Sequence, residues 1–364
     1  MKIVQVIPTL SKAGGAEKFV IDLTIAQQNR GNEVLLIVLY KNDINFFQAD
    51  IDKYKLRVKH LNKKKGFDFK NSQLLKRVIL SFNPDIVHTH INCHLSMKLS
   101  GLWDKKNGIS YFHTIHSVPE RECRNRVLFR VMRSLYKKKL VEPITISDSL
   151  AIKTQEYYGL KNKPAVIYNG IFLENFKSSK PIITRENTFI SVASFQANKN
   201  QIMIAKAATI LRDRGFTFNI IFLGDGAELK SVETFSKENN MERYLSFKGE
   251  VSNVNDYLSN SKCLVLPSWA EGNPISILEA MSAGLAVIVT KVGGAKDIIL
   301  PGINGYLVDP SDLYDLVDKM EAIILDKEII QSFSENNIAK SELYDMDSVS
   351  EQYIKLYNNK INHI

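Results

Sequence analysis

Residues 263–283 read CLVLPSWAEGNPISILEAMSA, and this stretch decides the fold class. A short apolar run comes first, a loop of small and polar residues follows, and an apolar segment then begins near Pro274. Because Asn273 is a natural N-cap and proline is favoured in the first turn of a helix, we predict that a helix starts here. A buried strand, a loop and a helix in this order form the basic unit of a parallel α/β sheet.

The same alternation extends in both directions along the chain. One series of apolar runs and helical segments covers residues 3–147, and a second covers residues 189–291. Repeated strand–helix units predict a parallel sheet with helices on both faces, and the repetition predicts two such sheets. We therefore predict an α/β protein of two facing, doubly wound domains, with a cleft at the carboxyl ends of both sheets.

Turn residues and lysines interrupt the pattern between Tyr168 and Pro181, which predicts a linker. We place the N-terminal domain at residues 1–172, the linker at 173–186 and the C-terminal domain at 187–364. After Pro310 we predict three closing helices, over residues 311–325, 328–340 and 347–359, as part of the C-terminal domain.

The composition favours a folded cytosolic protein. The 364 residues are 45% hydrophobic and 24% charged, which excludes disordered and collagen-like chains. Three cysteines without a CxxC pair favour neither a disulfide framework nor a cysteine zinc site. Since no apolar run reaches about 18 residues and the N-terminus lacks a signal-peptide cleavage site, we expect neither membrane insertion nor export.

The net charge of +9 is unevenly distributed. Residues 1–180 contain 31 Lys and Arg against 15 Asp and Glu, whereas residues 181–364 contain 17 against 24. A predicted helix over residues 121–139 carries one basic stripe, formed by Arg126, Arg130, Arg133 and Lys137. This stripe is either a solvated face or a contact with an anionic membrane, to which residues 63–65 add three lysines. Nucleic acid is disfavoured because basic residues do not alternate with aromatic ones.

Three places could bind an anion. Gly14 and Gly15 open the first helix, Lys199 follows the predicted strand 189–194, and the backbone N–H groups of Ile275 and Ser276 lie at a helix start. A tight turn and a solvated lysine are the simpler interpretations of the first two. Neither GxGxxG nor a Walker A motif occurs, so an NAD or ATP site is unsupported.

Two carboxylates in the opening stretch suggest sugar recognition. Glu271 in the loop and Glu279 in an otherwise apolar helix could accept hydrogen bonds from a sugar diol, and a buried carboxylate needs such donors. Helix capping by Glu271 and solvent exposure of Glu279 are the alternative. His88, His90 and His94 could suggest a metal, but the sequence supplies no acidic partner, and we expect no metal or other cofactor. The DxD sequences at 50–52 and 345–347 do not end buried strands, and we interpret them as chance.

Seven motifs occur in one order: Gly14–Glu17, His113–His116, Val166–Ile171, Lys199, Gly224–Gly226, Glu271 with Glu279 at a Glu-x7-Glu spacing, and Gly293–Gly294. Together they resemble the retaining glycosyltransferases of family 4, or glycosyl transferases group 1, over nearly the whole chain. The resemblance implies the GT-B fold, in which two Rossmann-like domains face each other.

By this resemblance, Gly15 and Lys199 would hold the donor diphosphate, and Glu279 would hold the ribose hydroxyls. Glu271, together with the backbone of Gly272, Asn273, Ile275 and Ser276, would contact the donor sugar and the distal phosphate. His116 would face the transferred sugar, so Lys199, Glu271 and His116 are the expected catalytic residues, and His90 lies toward the acceptor. The family usually has arginine shortly before the lysine, whereas this chain has Ser194, which leaves more charge stabilisation to Lys199 and the helix ends.

The resemblance implies transfer of a hexose or N-acetylhexosamine from a nucleotide diphosphate sugar, most simply a UDP-sugar, to a polyprenyl-diphosphate-linked or other glycan acceptor in surface polysaccharide biosynthesis. The protein would act in the cytoplasm, peripherally on the inner face of the plasma membrane. Two alternatives stay open: a nucleotide-sugar 2-epimerase of the same fold, and a non-catalytic protein that binds sugar nucleotides.

Overall fold

The structure is a computed structural model that describes residues 1–10, 14–41, 46–64, 66–103, 107–123 and 125–362. The chain forms two compact units. Unit 1 comprises Met1–Gly170 and Met346–Ile364, and unit 2 comprises Ile171–Asp345. Both are α/β units around a parallel sheet, which confirms the predicted fold class.

In unit 1 the described residues form a seven-stranded sheet of order β3-β2-β1-β4-β5-β6-β7. The strands are β1 (Lys2–Ile7), β2 (Glu33–Tyr40), β3 (Val58–Lys63), β4 (Ile86–His90), β5 (Ser110–Ile115), β6 (Val141–Thr145) and β7 (Ala165–Val166). The helices are α1 (Gly15–Asn29), α2 (Gln48–Lys53), α3 (Phe69–Phe82), α4 (His94–Ser100), α5 (Pro119–Glu122), α6 (Arg126–Lys137) and α7 (Asp148–Tyr158), and the C-terminal α15 (Met346–Ile361) completes the unit.

Unit 2, all of which the structure describes, has a six-stranded sheet of order β10-β9-β8-β11-β12-β13. Its strands are β8 (Thr188–Val192), β9 (Asn219–Leu223), β10 (Leu245–Phe247), β11 (Cys263–Leu266), β12 (Ala286–Thr290) and β13 (Tyr306–Val308). Its helices are α8 (Gln201–Asp213), α9 (Leu229–Glu238), α10 (Val254–Leu258), α11 (Ile275–Ser282), α12 (Ala295–Ile298), α13 (Leu313–Leu325) and α14 (Lys327–Ser341).

The central strands are buried along their whole length, which explains why sequence periodicity located them. Every residue of β4, β11 and β12 is buried. When helices cover both faces of a strand, every side chain must be apolar or hydrogen-bonded within the protein. Such strands appear in a sequence as continuous, mostly apolar runs, and not as an alternation of apolar and polar residues. The short or half-exposed β3, β7 and β13 lack such runs and were not predicted.

The predicted domain boundaries are wrong at two places. Residues 173–186 are not a linker, because Leu173, Phe176 and Ile182 are buried and the segment belongs to unit 2. The buried Arg185 guanidinium in this segment donates hydrogen bonds to the carbonyl oxygens of Ser261 and Ala283, each at 2.9 Å.

The last predicted helix does not belong to the C-terminal domain. Residues 346–364 belong to unit 1, where α15 buries Tyr353 and Tyr357 completely. The rings of both tyrosines lie beside His88, at centroid distances of 5.5 and 5.8 Å. Burial of these two large side chains against unit 1 is the physical reason for the return of the chain.

The predicted helix over residues 121–139 is instead two helices, α5 and α6, and Arg124 between them lies outside the described residues. The buried side of α6 consists of Met132 and Tyr136, whereas the apolar Val127 is 65% exposed. Across the described parts of the chain, every helix is too short or too polar to cross a membrane.

Candidate functional site

Each sheet reverses its strand order once, and the predicted site residues lie at these reversals. In unit 2 the reversal lies between the paired strands β8 and β11. Lys199 lies in the loop after β8, and Glu271 lies in the loop after β11. In unit 1 it lies between β1 and β4, where α1 follows and His90 ends the strand. Crevices at the carboxyl ends of strands on either side of such a reversal are the usual ligand sites of doubly wound sheets.

The loop after β8 carries Lys199 at the end of a short 3-10 turn, Ala197–Lys199. This loop is fixed by backbone hydrogen bonds on both sides. Phe195 donates to the carbonyl of Asp225 at 2.9 Å, and Trp269 donates to the carbonyl of Asn198 at 2.8 Å. Gly224 has a φ of +129°, and a Cβ there would lie 2.2 Å from the carbonyl oxygen of Ala193, so this close contact requires glycine.

Lys199 and Glu271 form an ion pair in unit 2. The Lys199 ammonium donates to both carboxylate oxygens of Glu271, at 2.7 and 2.8 Å, and the Ser268 hydroxyl donates to Oε1 at 2.6 Å. The Lys199 side chain keeps 21% of its surface exposed. Two of the three residues expected to be catalytic are thus together, and the charge of the lysine is balanced by its neighbour.

A glycine turn after β12 supports the backbone of Glu271. Gly293 has a φ of +52°, and a Cβ at this position would lie 1.7 Å from the carbonyl oxygen of Glu271. The N–H of Gly294 donates to the carbonyl of Gly272 at 2.7 Å. The paired glycines therefore allow two loops to pack backbone against backbone, which explains why this motif accompanies Glu271.

Helix α11 begins one residue later than predicted. Pro274 holds the N-cap position with extended backbone angles, and Ile275 is the first helical residue, so Asn273 is not the N-cap. The N–H groups of Ile275 and Ser276 still lie in the first turn, where a helix attracts anions. Glu279 is 6% exposed, so its carboxylate is buried and the solvent-exposed alternative is wrong. Ser194, by contrast, is exposed in the loop after β8.

Gly15 lies in unit 1, whereas the other residues expected to bind the donor all lie in unit 2. It is the first residue of α1, and Gly14 is its N-cap; Ser11–Ala13 of the same loop lie outside the described residues. A Cβ on Gly14 would lie 2.2 Å from a carboxylate oxygen of Glu17. The start of this helix is therefore already close to a negative charge supplied by its own first turn.

His90 and His116 are joined in unit 1. His90 Nδ1 lies 3.1 Å from His116 Nε2, and His90 Nε2 lies 2.8 Å from the side-chain oxygen of Gln5. An amide oxygen only accepts, so Nε2 of His90 carries the proton and its Nδ1 accepts one from His116 Nε2. Neutral His116 then has its remaining lone pair on Nδ1, which fixes this ring as a hydrogen-bond acceptor.

The histidines of this cluster are neutral. Burial lowers the pKa of His116 to about 4 and those of His94 and His113 to about 3. Burial likewise holds the pKa values of His88 and His90 well below the usual range. Desolvation penalises the charged imidazolium, so these rings are unprotonated at neutral pH.

Glu122 is a residue of this site that the sequence did not reveal. Its buried carboxylate accepts hydrogen bonds from the backbone N–H groups of His116 and Ser117, at 2.7 and 2.8 Å, and so fixes the loop that carries His116. Burial raises the pKa of Glu122. The short sequence separation of Glu122 from His116 could have indicated that the two residues are in contact. Only the path of the chain through α5 shows that the Glu122 carboxylate faces backbone N–H groups.

The structure does not group the suspected metal ligands. The rings of His88 and His90 lie 4.2 Å apart, while His94 pairs with His113 at 4.4 Å. The nitrogens of His88 contact Tyr357 at 2.6 Å and Thr114 at 2.8 Å. Among the described residues, groups of three or more His, Cys, Asp or Glu that could hold a metal do not occur.

The basic stripe lies on α6 with its side chains exposed. One member has an additional role, because Arg133 Nε donates to the carbonyl oxygen of Tyr158 at the end of α7, at 3.0 Å. Lys63 is not available to a surface, since the residue is only 3% exposed. Of the other lysines expected to add charge, Lys64 is exposed and Lys65 lies outside the described residues.

Comparison with known proteins decides the family. The Glycosyltransferase Family 4 pattern matches residues 13–175, and the Glycosyl transferases group 1 pattern matches residues 173–340. This chain is a family 4 glycosyltransferase. The two patterns meet where unit 1 passes into unit 2, so each unit corresponds to one of them.

The relatives of this glycosyltransferase include bacterial enzymes of glycan assembly. The capsular polysaccharide biosynthesis glycosyltransferase CapH of Staphylococcus aureus is 27% identical over 311 residues, which is 82% of each chain. The UDP-Gal:alpha-D-GlcNAc-diphosphoundecaprenol alpha-1,3-galactosyltransferase of Escherichia coli is 24% identical over 324 residues, 80% of this chain and 81% of that one.

Solved structures share the GT-B fold. Anabaena HepE, solved in complex with UDP, superposes with a TM-score of 0.84 over 99% of this chain and all of that one, at 18% identity. The sucrose-phosphate synthase of Thermosynechococcus elongatus superposes with a TM-score of 0.83 over the whole of both chains, also at 18% identity. These likenesses confirm the predicted pair of Rossmann-like units.

Proposed function

We propose that this glycosyltransferase moves a hexose or N-acetylhexosamine from a UDP-sugar, with retention of configuration, to a lipid-linked glycan acceptor in surface polysaccharide biosynthesis. The Lys199–Glu271 pair at the reversal of the unit 2 sheet carries the proposal, because it places one cation and one hydroxyl-binding carboxylate at the usual ligand edge. The E. coli relative is a galactosyltransferase that uses UDP-Gal and a diphosphoundecaprenol acceptor, which supports the choice of both substrates.

The proposed reaction breaks the bond between the anomeric carbon of the sugar and the β-phosphate oxygen. The bonding electron pair leaves with UDP, the acceptor hydroxyl oxygen bonds the anomeric carbon from the same face, and the hydroxyl proton passes to the departing phosphate. Negative charge grows on the diphosphate during this step, so the Lys199 ammonium and the N–H groups at the start of α11 stabilise the transition state more than the ground state.

Glu271 and Glu279 bind hydroxyls in this proposal. Glu271 accepts from the sugar, and its pairing with Lys199 orients the carboxylate. Glu279, on the next turn of α11 and buried, accepts from the ribose of UDP. In unit 1, His116 faces the transferred sugar in this proposal. A metal ion or other cofactor takes no part.

Acceptors of this type lie in a membrane, and we place the protein peripherally on the cytoplasmic face of the plasma membrane through α6. Its exposed arginines and lysines favour an anionic lipid surface, each by about 1 kcal/mol. The test of this contact changes the other three residues of the stripe and leaves Arg133 unchanged, because Arg133 also donates a hydrogen bond to the carbonyl oxygen of Tyr158. Charge reversal of Arg126, Arg130 and Lys137 to glutamate is expected to abolish sedimentation with phosphatidylglycerol vesicles and to leave UDP binding unchanged.

One experiment tests the reaction. The purified chain is incubated with a panel of nucleotide sugars, with and without a polyprenyl-diphosphate-linked acceptor and with and without chelator, and UDP release and sugar products are followed. We expect UDP release that depends on acceptor, a product with the anomeric configuration of the donor, and no loss with chelator.

Each other outcome identifies an alternative. A sugar product formed from donor alone indicates the 2-epimerase. Donor binding without turnover under any condition indicates a non-catalytic protein, and a rate restored only by Mg²⁺ or Mn²⁺ contradicts the metal-free reaction.

A further inference from the structure

Two phenylalanines of unit 1 are exposed in one short turn. Phe67 is 72% exposed and Phe69 is 55% exposed, and the turn that carries them connects β3 to α3. Single exposed apolar side chains are common on protein surfaces and need no explanation. Two aromatic rings within three residues form a small apolar projection, which favours a partner that removes them from water.

One end of the turn is fixed by Lys63. Its buried ammonium donates to the carbonyl oxygens of Lys64, at 3.0 Å, and Gly66, at 2.6 Å, and lies 4.9 Å from the centre of the Tyr40 ring. The side chain that appears in the sequence as part of a basic surface therefore binds the backbone beneath the turn.

The other end is fixed by Asp68, the N-cap of α3. Its carboxylate accepts from the N–H of Asn71 at 3.0 Å and from the N–H of Lys64 at 3.2 Å. Asn71 Nδ2 donates in turn to the carbonyl of Leu61 at 2.6 Å. Because hydrogen bonds hold both ends of the turn, the backbone that carries the two rings loses little conformational entropy when a partner binds.

The charge around the rings is positive. The side chains of Lys59, Lys64 and Lys70 are exposed, while the carboxylate of the turn, Asp68, is engaged with backbone N–H groups. Aromatic rings flanked by lysines fit the interface of an anionic bilayer, where the rings enter the acyl boundary and the ammonium groups meet lipid phosphates.

The sheet topology places this turn at the same edge of the sheet as the start of the basic helix α6. Helices α3 and α6 both begin after the carboxyl end of a strand, β3 and β5 respectively, and run back along the sheet. Helix α3 contacts α4, and α4 contacts α6, so the three share one face. The start of α6 brings Arg126 and the exposed Val127 to the same edge as Phe67 and Phe69.

We propose that the turn before α3 inserts Phe67 and Phe69 into the interface of an anionic bilayer, with Lys64 and Lys70 on the headgroups. This inference rests on the proposed membrane-bound acceptor and adds an apolar anchor to the electrostatic contact of α6. Apolar insertion and electrostatic attraction respond differently to salt, because screening weakens only the second.

The test compares two double variants of the full chain. Phe67→Ser with Phe69→Ser removes the rings, and Tyr314→Ser with Leu343→Ser removes two side chains of unit 2 that are 66% and 67% exposed. Sedimentation with vesicles of equal phosphatidylglycerol and phosphatidylcholine is measured at low and high salt. We expect the first variant to lose about tenfold in vesicle partitioning at both salt concentrations, and the control to match the parent chain.

Insertion is measured directly with Phe67→Trp and vesicles that contain brominated lipid. The parent chain supplies the background, since it contains Trp103 and Trp269. We expect bromine to quench the variant more strongly than the parent, and this readout needs neither donor nor acceptor, so a failure of sugar transfer does not affect it. Equal quenching in both chains overturns the proposal. A parent dimer that the serine pair converts to monomer, without vesicles, also overturns it by showing an interface between copies.

Discussion

The two units place different chemistry at the same position of similar sheets. At the strand-order reversal of unit 1, neutral histidines bind one another and uncharged side chains such as Gln5, and the Glu122 carboxylate accepts from N–H groups of the main chain. At the reversal of unit 2, Glu271 faces the ammonium of Lys199. All seven histidines of the chain lie outside residues 171–345. The fold therefore supplies the position, and the side chains decide whether the edge of the sheet is uncharged or carries an ion pair.

Acid provides the largest expected difference between the units. His94, His113 and His116 have pKa values of about 3, 3 and 4 when folded, against about 6.5 when unfolded, so the unfolded state binds more protons below pH 6.5. The free energy of unfolding therefore has its full value above pH 6.5. It falls as the pH drops toward 4, by about 4 kcal/mol for each step of 1 in pH when three groups titrate. Glu122, whose pKa is raised, offsets part of this loss.

Pulsed hydrogen exchange with mass spectrometry measures the effect. Samples held at pH 7 to 4 are labelled briefly at one common pH, and peptides of both units are compared in the same sample. We expect β4, β5 and α4 to lose protection at a higher pH than β8, β11 and α11. Simultaneous loss in both units would contradict the assignment of acid sensitivity to the buried histidines.

Lys199→Ala gives the next largest effect and tests the charged edge. Loss of one group that stabilises the departing diphosphate reduces kcat by about 100-fold or more, while UDP affinity falls less, because the stabilised charge grows during the reaction. Steady-state kinetics and calorimetry with UDP separate the two quantities. Arg214→Ala is the matched control, since it also removes an ion-paired cation of unit 2 and leaves the loop after β8 intact. Equal losses in kcat and affinity would assign uniform binding to Lys199.

Glu271→Gln has the smallest expected effect and sharpens the comparison between the two carboxylates. The substitution keeps the shape of the side chain and releases the Lys199 charge, so UDP is expected to bind about fivefold more tightly, for a partly exposed pair worth about 1 kcal/mol. Glu122→Gln is the control, because this carboxylate lies in unit 1 and its shortest hydrogen bonds come from backbone N–H groups, so UDP affinity is expected to stay unchanged. Weaker UDP binding in Glu271→Gln shows that the carboxylate itself holds the nucleotide.

Much of the candidate site follows from local sequence. Lys199, Glu271 and Glu279 were predicted because each lies just after an apolar run or in the helix that follows, and the carboxyl ends of neighbouring parallel strands meet at one edge. The first turn of α11 was predicted within one residue from Pro274. The ion pair itself could not be predicted, since its partners are 72 positions apart and both had been assigned to the ligand.

The sequence by itself determined the α/β class, the repetition of the sheet and the loops that carry the motifs, because burial on both faces leaves continuous apolar runs and sharp helix starts. Only the tertiary structure decided that α15 returns to unit 1, that Lys63 turns inward and that Glu122 holds the loop of His116. The physical reason is that periodicity reports whether a side chain is buried, whereas its partner depends on contacts between residues far apart in the chain. A charged residue looks the same in a sequence whether it faces lipid, a backbone carbonyl or another charge.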